Sequence, residues 1–291
     1  MQSKKLTICL PLRNSEKYLP TVFDSLLRQT FQDFCIIVSD NNSSDRTKSI
    51  CDQYSYRFTS FVYFRQEALI DVEQQFKFLY SKVETPYITW VADDDFYDDD
   101  WLEVCMNNVT PSMAAFGRVQ YVDHMGKPVR SLANLRPVSF INESPFVRKL
   151  KFLMTPDYYG QMILFWGVYP TRCLFEHVYS MRAEDRMIGV DKIFVYRFIS
   201  ENRFFSGLDS VFYKRIHLSS DSSLTGVGIG RNTSTVKKIF RLIRKRGFFF
   251  YWNEPSSSIL LSLFIFLYPY YCIKSILYAL PYFFHKLTGY K

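Results

Sequence analysis

Short β-forming runs alternate with segments of helical period four times before residue 92, and this alternation constrains the fold more than any other feature. Leu6 to Leu12 is an apolar run that contains Pro11 and gives way to the polar pair Arg13-Asn14, which predicts a buried strand and its C-terminal loop. Leu19, Val22, Phe23, Leu26 and Leu27 then recur at helical spacing as far as Gln29-Thr30. Phe34 to Val38 predicts a second strand, which runs into Ser39-Asp40-Asn41-Asn42-Ser43-Ser44-Asp45. In this cluster of turn formers Ser44 or Asp45 can cap a helix toward Tyr56. Phe61 to Phe64 reads as a third strand, Val72 to Val83 as a third helix and Tyr87 to Val91 as a fourth strand. The spacings suit right-handed crossovers, so the predicted fold class is α/β, a doubly wound and mostly parallel sheet of Rossmann-like type. Ligands gather at the carboxyl ends of strands in such sheets, so Arg13-Asn14, Asp40 and the residues after Val91 should share one rim. The chain contains no G-x-G-x-x-G and no P-loop, which counts against a dinucleotide enzyme and a P-loop kinase.

The fourth strand ends in Asp93-Asp94-Asp95, and a second triplet, Asp98-Asp99-Asp100, precedes Trp101. Adjacent carboxylates repel one another, and a hard divalent cation bound to phosphate would neutralise them. The first triplet is therefore a candidate metal and phosphate site, with a solvated acidic turn as the alternative. The second stands just before Leu102, Val104, Cys105 and Val109, where acids favour a helix N-terminus, and it reads mainly as capping.

Beyond Met106 the pattern is mixed. Ala114 to Val122, Met162 to Tyr169 and Ser210 to Ile216 predict strands; Pro145 to Leu153, capped by Ser144, and Val190 to Ser200 predict helices. A linker is expected over 226–235, where glycine and small polar residues collect. Charge divides the chain near the same place. The net charge is +8, yet after Asp221 there are ten lysines and arginines against one acid, Glu254, which leaves −1 on residues 1–221. A near-neutral body with a basic, apolar tail points to an anionic membrane surface and away from nucleic acid. Val236, Ile239, Phe240 and Ile243 lie on one helical face, with Lys237, Lys238, Arg241, Arg244 and Lys245 elsewhere, as in a basic amphipathic helix. The apolar stretch 258–284 is broken by Pro269, Lys274 and Pro281, so two short helices embedded in one leaflet are expected in place of one span. A helical hairpin packed on the body or on a second subunit is the alternative. The six cysteines are scattered without C-x-x-C spacing and read as reduced core thiols, and the N-terminus has no long apolar signal segment. The expected location is cytoplasmic, at the inner face of the cell membrane.

Four stretches, LTICLPLRN, SLLRQTFQDFCIIVSDNNSSDRT, YITWVADDD and GVDKIFVYRF followed by YKRIHLSSDSS, resemble the family-two glycosyltransferases of the nucleotide-sugar-dependent GT-A fold. The resemblance covers roughly residues 5–222. It implies a catalytic domain over 1–225, with a nucleotide-binding half at 1–106 and an acceptor-side half at 107–225, followed by the membrane-associating tail at 226–291. It also implies an inverting transfer from a nucleotide-diphosphate sugar to a lipid-linked or oligosaccharide acceptor, as in bacterial surface polysaccharide synthesis, with Mg²⁺ or Mn²⁺ as cofactor. Residue by residue, Pro11 and Arg13 would line the nucleotide pocket and Asp40 would contact base or ribose. Asp93 would hold the ribose or a metal-bound water, Asp94 would join the nucleotide-sugar site, and Asp95 would bind the metal. Asp191 would be the base, with Glu184-Asp185 as the alternative. Arg215 and His217 would clamp the diphosphate, His217 either bonding phosphate or completing the metal shell. The residues themselves leave bland readings open: an Asx-turn for Asp40 and a helix cap for Asp191. The segment EALIDVEQQFKF, with Gln74, Gln75 and Phe76, departs from the family pattern. A sugar nucleotidyltransferase and a non-catalytic membrane adaptor are the competing readings.

Overall fold

A computed structural model of the protein describes residues 4–129, 137, 139–154, 161–181 and 190–216. In chain order the first half runs β1 (Leu6–Leu12), α1 (Leu19–Leu27), β2 (Phe34–Asp40), α2 (Thr47–Ser55), β3 (Phe61–Arg65), α3 (Val72–Tyr80) and β4 (Tyr87–Trp90). Then come β5 (Phe96–Tyr97), α4 (Trp101–Asn108), β6 (Met113–Ala115), β7 (Arg118–Val122), α5 (Pro145–Met154), β8 (Val168–Pro170), α6 (Phe175–Tyr179), α7 (Val190–Glu201), β9 (Arg203–Phe205) and β10 (Val211–Arg215). The larger sheet has the order β3-β2-β1-β4-β8-β6-β9, and a smaller one has the order β5-β10-β7. The β1/β2, β2/β3 and β1/β4 pairs are parallel, as the alternation predicted, whereas β8 runs antiparallel to both β4 and β6.

The first unit winds from β1 out to β3 and then returns to place β4 on the other side of β1. That reversal leaves a crevice beyond the carboxyl ends of β1 and β4, the place where open α/β sheets receive ligands. Helix α1 starts with proline in its first turn and buries Leu19, Val22, Phe23 and Leu26, the periodic residues of the sequence. Gln75, on α3, donates to the carbonyls of Leu12 and Ser39 and so ties the ends of β1 and β2 together.

Two predicted strands prove to be composite, each for a steric reason at a glycine. Ala114 to Val122 breaks at Gly117, where an added Cβ would lie 2.2 Å from the Ser210 carbonyl oxygen. The break sends β6 into the large sheet and β7 into the small one. Met162 to Tyr169 is a 3-10 turn over Gln161–Trp166 followed by β8. Gly167 joins them, and a Cβ there would meet the Ala115 carbonyl at 2.9 Å. Aromatic rings also pack the second half of the described residues. Tyr169, fully buried, meets Phe194, Phe198 and Phe204 edge-on at centroid distances of 5.5, 4.9 and 5.6 Å. Each such pair contributes about 0.5–1.5 kcal/mol beyond the area it buries.

The second aspartate triplet does not cap α4. Asp100 is the N-cap residue but makes no side-chain capping bond. Instead Asp98 accepts from the Val211 N–H and the Tyr213 hydroxyl, Asp100 from the Ser210 hydroxyl, and Asp99 from Arg28. The triplet fastens β10 and α1 to the start of α4, because the partners that sequence distance hid lie within reach in the fold. Among the described residues no helix is long and apolar enough to cross a membrane. The expected membrane segment 226–291, with His217 and Glu184-Asp185, lies outside the described residues.

Candidate active site

The loop after β1 reaches directly to the first triplet. Asn14 has φ +50°, a left-handed turn that an asparagine tolerates, and it brings Ser15 back under the rim. The Ser15 hydroxyl donates a hydrogen bond to Asp93 Oδ2, and the Ser15 N–H donates to Thr47 Oγ1 at 2.8 Å. The Asn14 N–H donates to Ser43 Oγ and Asn14 Oδ1 accepts from the Ser44 N–H, so the loops after β1 and β2 are laced together beside the aspartates. The predicted convergence of Arg13-Asn14, Asp40 and Asp93 to Asp95 on one rim is present. Pro11 is half-buried at the end of β1, and Arg13 is exposed.

The three aspartates differ in setting. Asp93 is half-buried, and burial followed by the neighbouring charge of Asp94 pushes its carboxyl up to about 6 against the opposing bond from Ser15. Asp94 is 8% exposed, and its backbone carbonyl accepts from Arg215 Nε at 2.8 Å. Asp95 is 0% exposed, with Oδ2 at 2.8 Å from Lys214 Nζ and Oδ1 accepting the Arg215 N–H at 2.8 Å. Strand pairing explains the match: β5 and β10 set Phe212 opposite Tyr97 and Tyr213 opposite Phe96. Continued one and two steps, that register brings Lys214 to Asp95 and Arg215 to Asp94.

This arrangement corrects two expectations. Asp95 has both carboxylate oxygens engaged inside the protein, so it fits a strand fastener better than a metal ligand. Arg215 is 4% exposed, its guanidinium lies 4.5 Å from the Tyr18 ring and 5.4 Å from the Phe96 ring, and Nη1 donates to the His124 carbonyl at 3.1 Å. An arginine packed between two rings and bonded to main-chain carbonyls pins β10 to the triplet, in place of the diphosphate clamp expected of it. Asp40 is likewise enclosed at 0% exposure. It accepts the Ser43 N–H in an Asx-type turn and the Tyr63 hydroxyl, with Arg65 at 3.6 Å, which is the bland reading of that residue.

Two residues that the sequence reading missed, Lys214 and Tyr121, complete the site beside the expected Asp191. Lys214 has a side chain 19% exposed, with its ammonium 5.4 Å from the Trp166 ring. Burial works against its charge, and Asp95 and then Asp94 outweigh burial to push its pKa above the ordinary lysine value. Tyr121 is its partner in the β7/β10 pairing. Burial raises the Tyr121 phenol, Lys214 pulls it back, and Asp95 and Asp191 raise it further, so Asp191 acts on the same locality as the triplet. Asp191 stands in the first turn of α7, half-buried, and accepts the Lys192 N–H at 2.8 Å. The only signal for Lys214 and Tyr121 was strand alternation, which says nothing of partners.

For a divalent cation the fit is through Asp93 and Asp94. Mg²⁺ takes one or two carboxylates and completes its shell with water and substrate phosphate, so a pair suffices. Among the described residues no group of three or more His, Cys, Asp or Glu converges as a self-contained metal cage.

The family model described as Glycosyl transferase family 2 matches residues 7–166. The chain belongs to this family. Its GT-A-like α/β fold, with a mostly parallel central sheet, agrees with solved structures. S. aureus TarS 1-349 in complex with UDP superposes with a TM-score of 0.52 at 18% identity, over 87% of this chain and 73% of that one. The mannosyltransferase PcManGT from Pyrobaculum calidifontis, in complex with GDP-Man and Mn²⁺, gives 0.51 at 11% identity, over 84% of this chain and 62% of that one. Both likenesses concern the fold. By sequence, the chain is 27% identical over 111 residues to the glycosyltransferase GlyA and 28% over 107 residues to GlyG, both of Streptococcus pneumoniae. The matches take in 38% and 37% of this chain and only 16% and 36% of those relatives.

Proposed function

We propose that this family-2 chain is a glycosyltransferase that moves a sugar from a nucleoside diphosphate sugar to a surface glycan, with inversion at the anomeric carbon. The observation that carries the reading is the aspartate triplet just past the end of β4, in the crevice beside β1, where Ser15 of the β1 loop reaches Asp93. The printed ligands of the structural neighbours support the donor class: UDP and UDP-GlcNAc for TarS, GDP-Man for PcManGT. The surface-polymer setting is supported by a 25% identity over 139 residues to a teichoic acid poly(glycerol phosphate) polymerase of Staphylococcus epidermidis, over 46% of this chain and 17% of that protein.

In this reaction an acceptor hydroxyl oxygen attacks the anomeric carbon, its proton passes to a carboxylate, and the bond from that carbon to the diphosphate breaks. Asp191 takes the proton, with Glu184 or Asp185 as the alternative base. Pro11 and Arg13, at the end of β1, form the nucleotide side of the crevice. Asp93 and Asp94 would hold a Mg²⁺ or Mn²⁺ ion, which would supply positive charge to the departing diphosphate. His217 would complete that shell or bond phosphate. The basic, apolar segment 226–291 holds the chain at an anionic membrane face on the cytoplasmic side, within reach of a lipid-linked acceptor.

The test is a panel of uridine, thymidine and guanosine diphosphate sugars, scored for Mn²⁺-dependent stabilisation and slow donor hydrolysis. A ligand at 100 times its Kd adds about 2.7 kcal/mol. A panel in which no nucleotide sugar stabilises the protein or is turned over overturns the reading.

A further inference from the structure

Lys214 is the one ammonium built into the aspartate rim among the described residues, and its placing is expensive. A buried charge is tolerated only when paired and hydrogen-bonded. Asp95 meets that need at 2.8 Å, and its second oxygen is fixed by the Arg215 N–H. Asp95 is closed to solvent, while the Lys214 side chain is 19% exposed. Lys214 is therefore the member of the pair that reaches solvent, and it occupies one of the two Asp95 oxygens that an external cation would need. Three adjacent carboxylates thus present less charge than their number suggests, because one is cancelled within the chain. Only one of the three ammonium hydrogens is needed for Asp95. Nζ also lies over Trp166 and beside Tyr121, its cross-strand partner, on the rim where the donor diphosphate is proposed to sit.

We propose that Lys214 is a tethered counter-ion: it occupies Asp95 in place of a metal, restricts divalent cations to Asp93 and Asp94, and offers its ammonium to the donor's diphosphate. The metal and diphosphate assignments rest on the transferase reading above. Removing Lys214 then has two effects of opposite sign. Asp95 becomes accessible as an additional carboxylate, so metal alone binds more tightly, while a diphosphate without metal meets one more negative charge and binds less well. A purely structural lysine would weaken both.

The experiment uses the full chain with two simple probes: Mn²⁺ alone, followed by the loss of the free-ion paramagnetic signal, and inorganic pyrophosphate in chelator, followed by calorimetry. Lys214→Met is expected to bind Mn²⁺ at least about tenfold more tightly than the parent, a factor equivalent to about 1.4 kcal/mol. Its affinity for pyrophosphate is expected to fall by a similar factor. Because Lys214→Met leaves Asp95 uncompensated and can impair folding, the double variant Lys214→Met/Asp95→Asn gives an independent reading. It removes both members of the pair and leaves the local net charge unchanged, so Mn²⁺ affinity should stay within about twofold of the parent. The proposal is overturned if the double variant loses Mn²⁺ binding tenfold, or if a folded Lys214→Met gains none. It is also overturned if pyrophosphate does not bind the parent in chelator. A chain that turns over no nucleotide sugar but shows the expected Mn²⁺ pattern would remove the transferase reading and leave the counter-ion standing.

Discussion

Asp93 is held in the fold at a cost that depends on pH, and replacing it with asparagine should remove that cost. Its carboxyl is pushed from the ordinary aspartate value of 3.8 up to about 6, chiefly by burial and then by Asp94. The folded protein therefore holds this proton more tightly than the unfolded chain. Stability contributed at this site is fully present below about pH 4 and is lost as pH rises toward 6, because the unfolded chain binds fewer protons throughout that window. A shift of about two units at 1.36 kcal/mol each sets the ceiling at about 3 kcal/mol, and partial solvent access lowers it. Asparagine keeps the shape and an acceptor for the Ser15 hydroxyl but never charges. We expect Asp93→Asn to match the parent near pH 4 and to exceed it by about 1–3 kcal/mol at pH 7.5, in chelator and without nucleotide. Urea unfolding at a series of pH values reads the difference directly, provided the m-value is unchanged. Excess Mn²⁺ with a bound nucleotide should reverse the order, since the parent then gains a ligand that the variant lacks. A variant no more stable than the parent at pH 7.5, or a difference that does not change between pH 4 and 7, would refute the reasoning.

Asp191→Asn should leave donor binding near normal and lower turnover by roughly 10²–10⁴, the range for general base catalysis, in single-turnover assays. If Glu184→Gln or Asp185→Asn shows that pattern instead, the base lies upstream. Gly117→Ala pushes a Cβ to 2.2 Å from the Ser210 backbone oxygen, so it should lower the urea midpoint by the equivalent of about 1–3 kcal/mol or more. Wild-type stability in that variant would mean that the two sheets separate elsewhere. Deleting residues 255–291 should release the chain from anionic vesicles and spare donor hydrolysis; a truncated chain that still sediments with vesicles refutes the membrane role of the tail.

The alternation of strands and helices up to Trp90 was legible because each element there declares itself locally. Apolar runs bounded by turn formers make β1 to β4, helical spacing makes α1, and parallel order follows from the lengths of the crossovers. The rim could be predicted for the same reason, since the chain must turn at the end of each strand. What the side chains on that rim do was decided by pairings from 23 to more than a hundred residues apart. Only the register of β5 against β10 brings Lys214 to Asp95 and converts a presumed metal ligand into half of a buried ion pair. Only the approach of Ser210, Val211 and Arg28 turns the second triplet from a helix cap into a set of fasteners. Asp40 looked like a ligand contact because a carboxylate in a loop usually has spare capacity, and it was the arrival of Tyr63 from the adjacent strand that filled it. Local pattern states where the backbone must go, because conformational preference acts over a few residues. Which carboxylate is left to meet a cation depends on where unrelated strands come to rest, and that is a property of the packed structure alone.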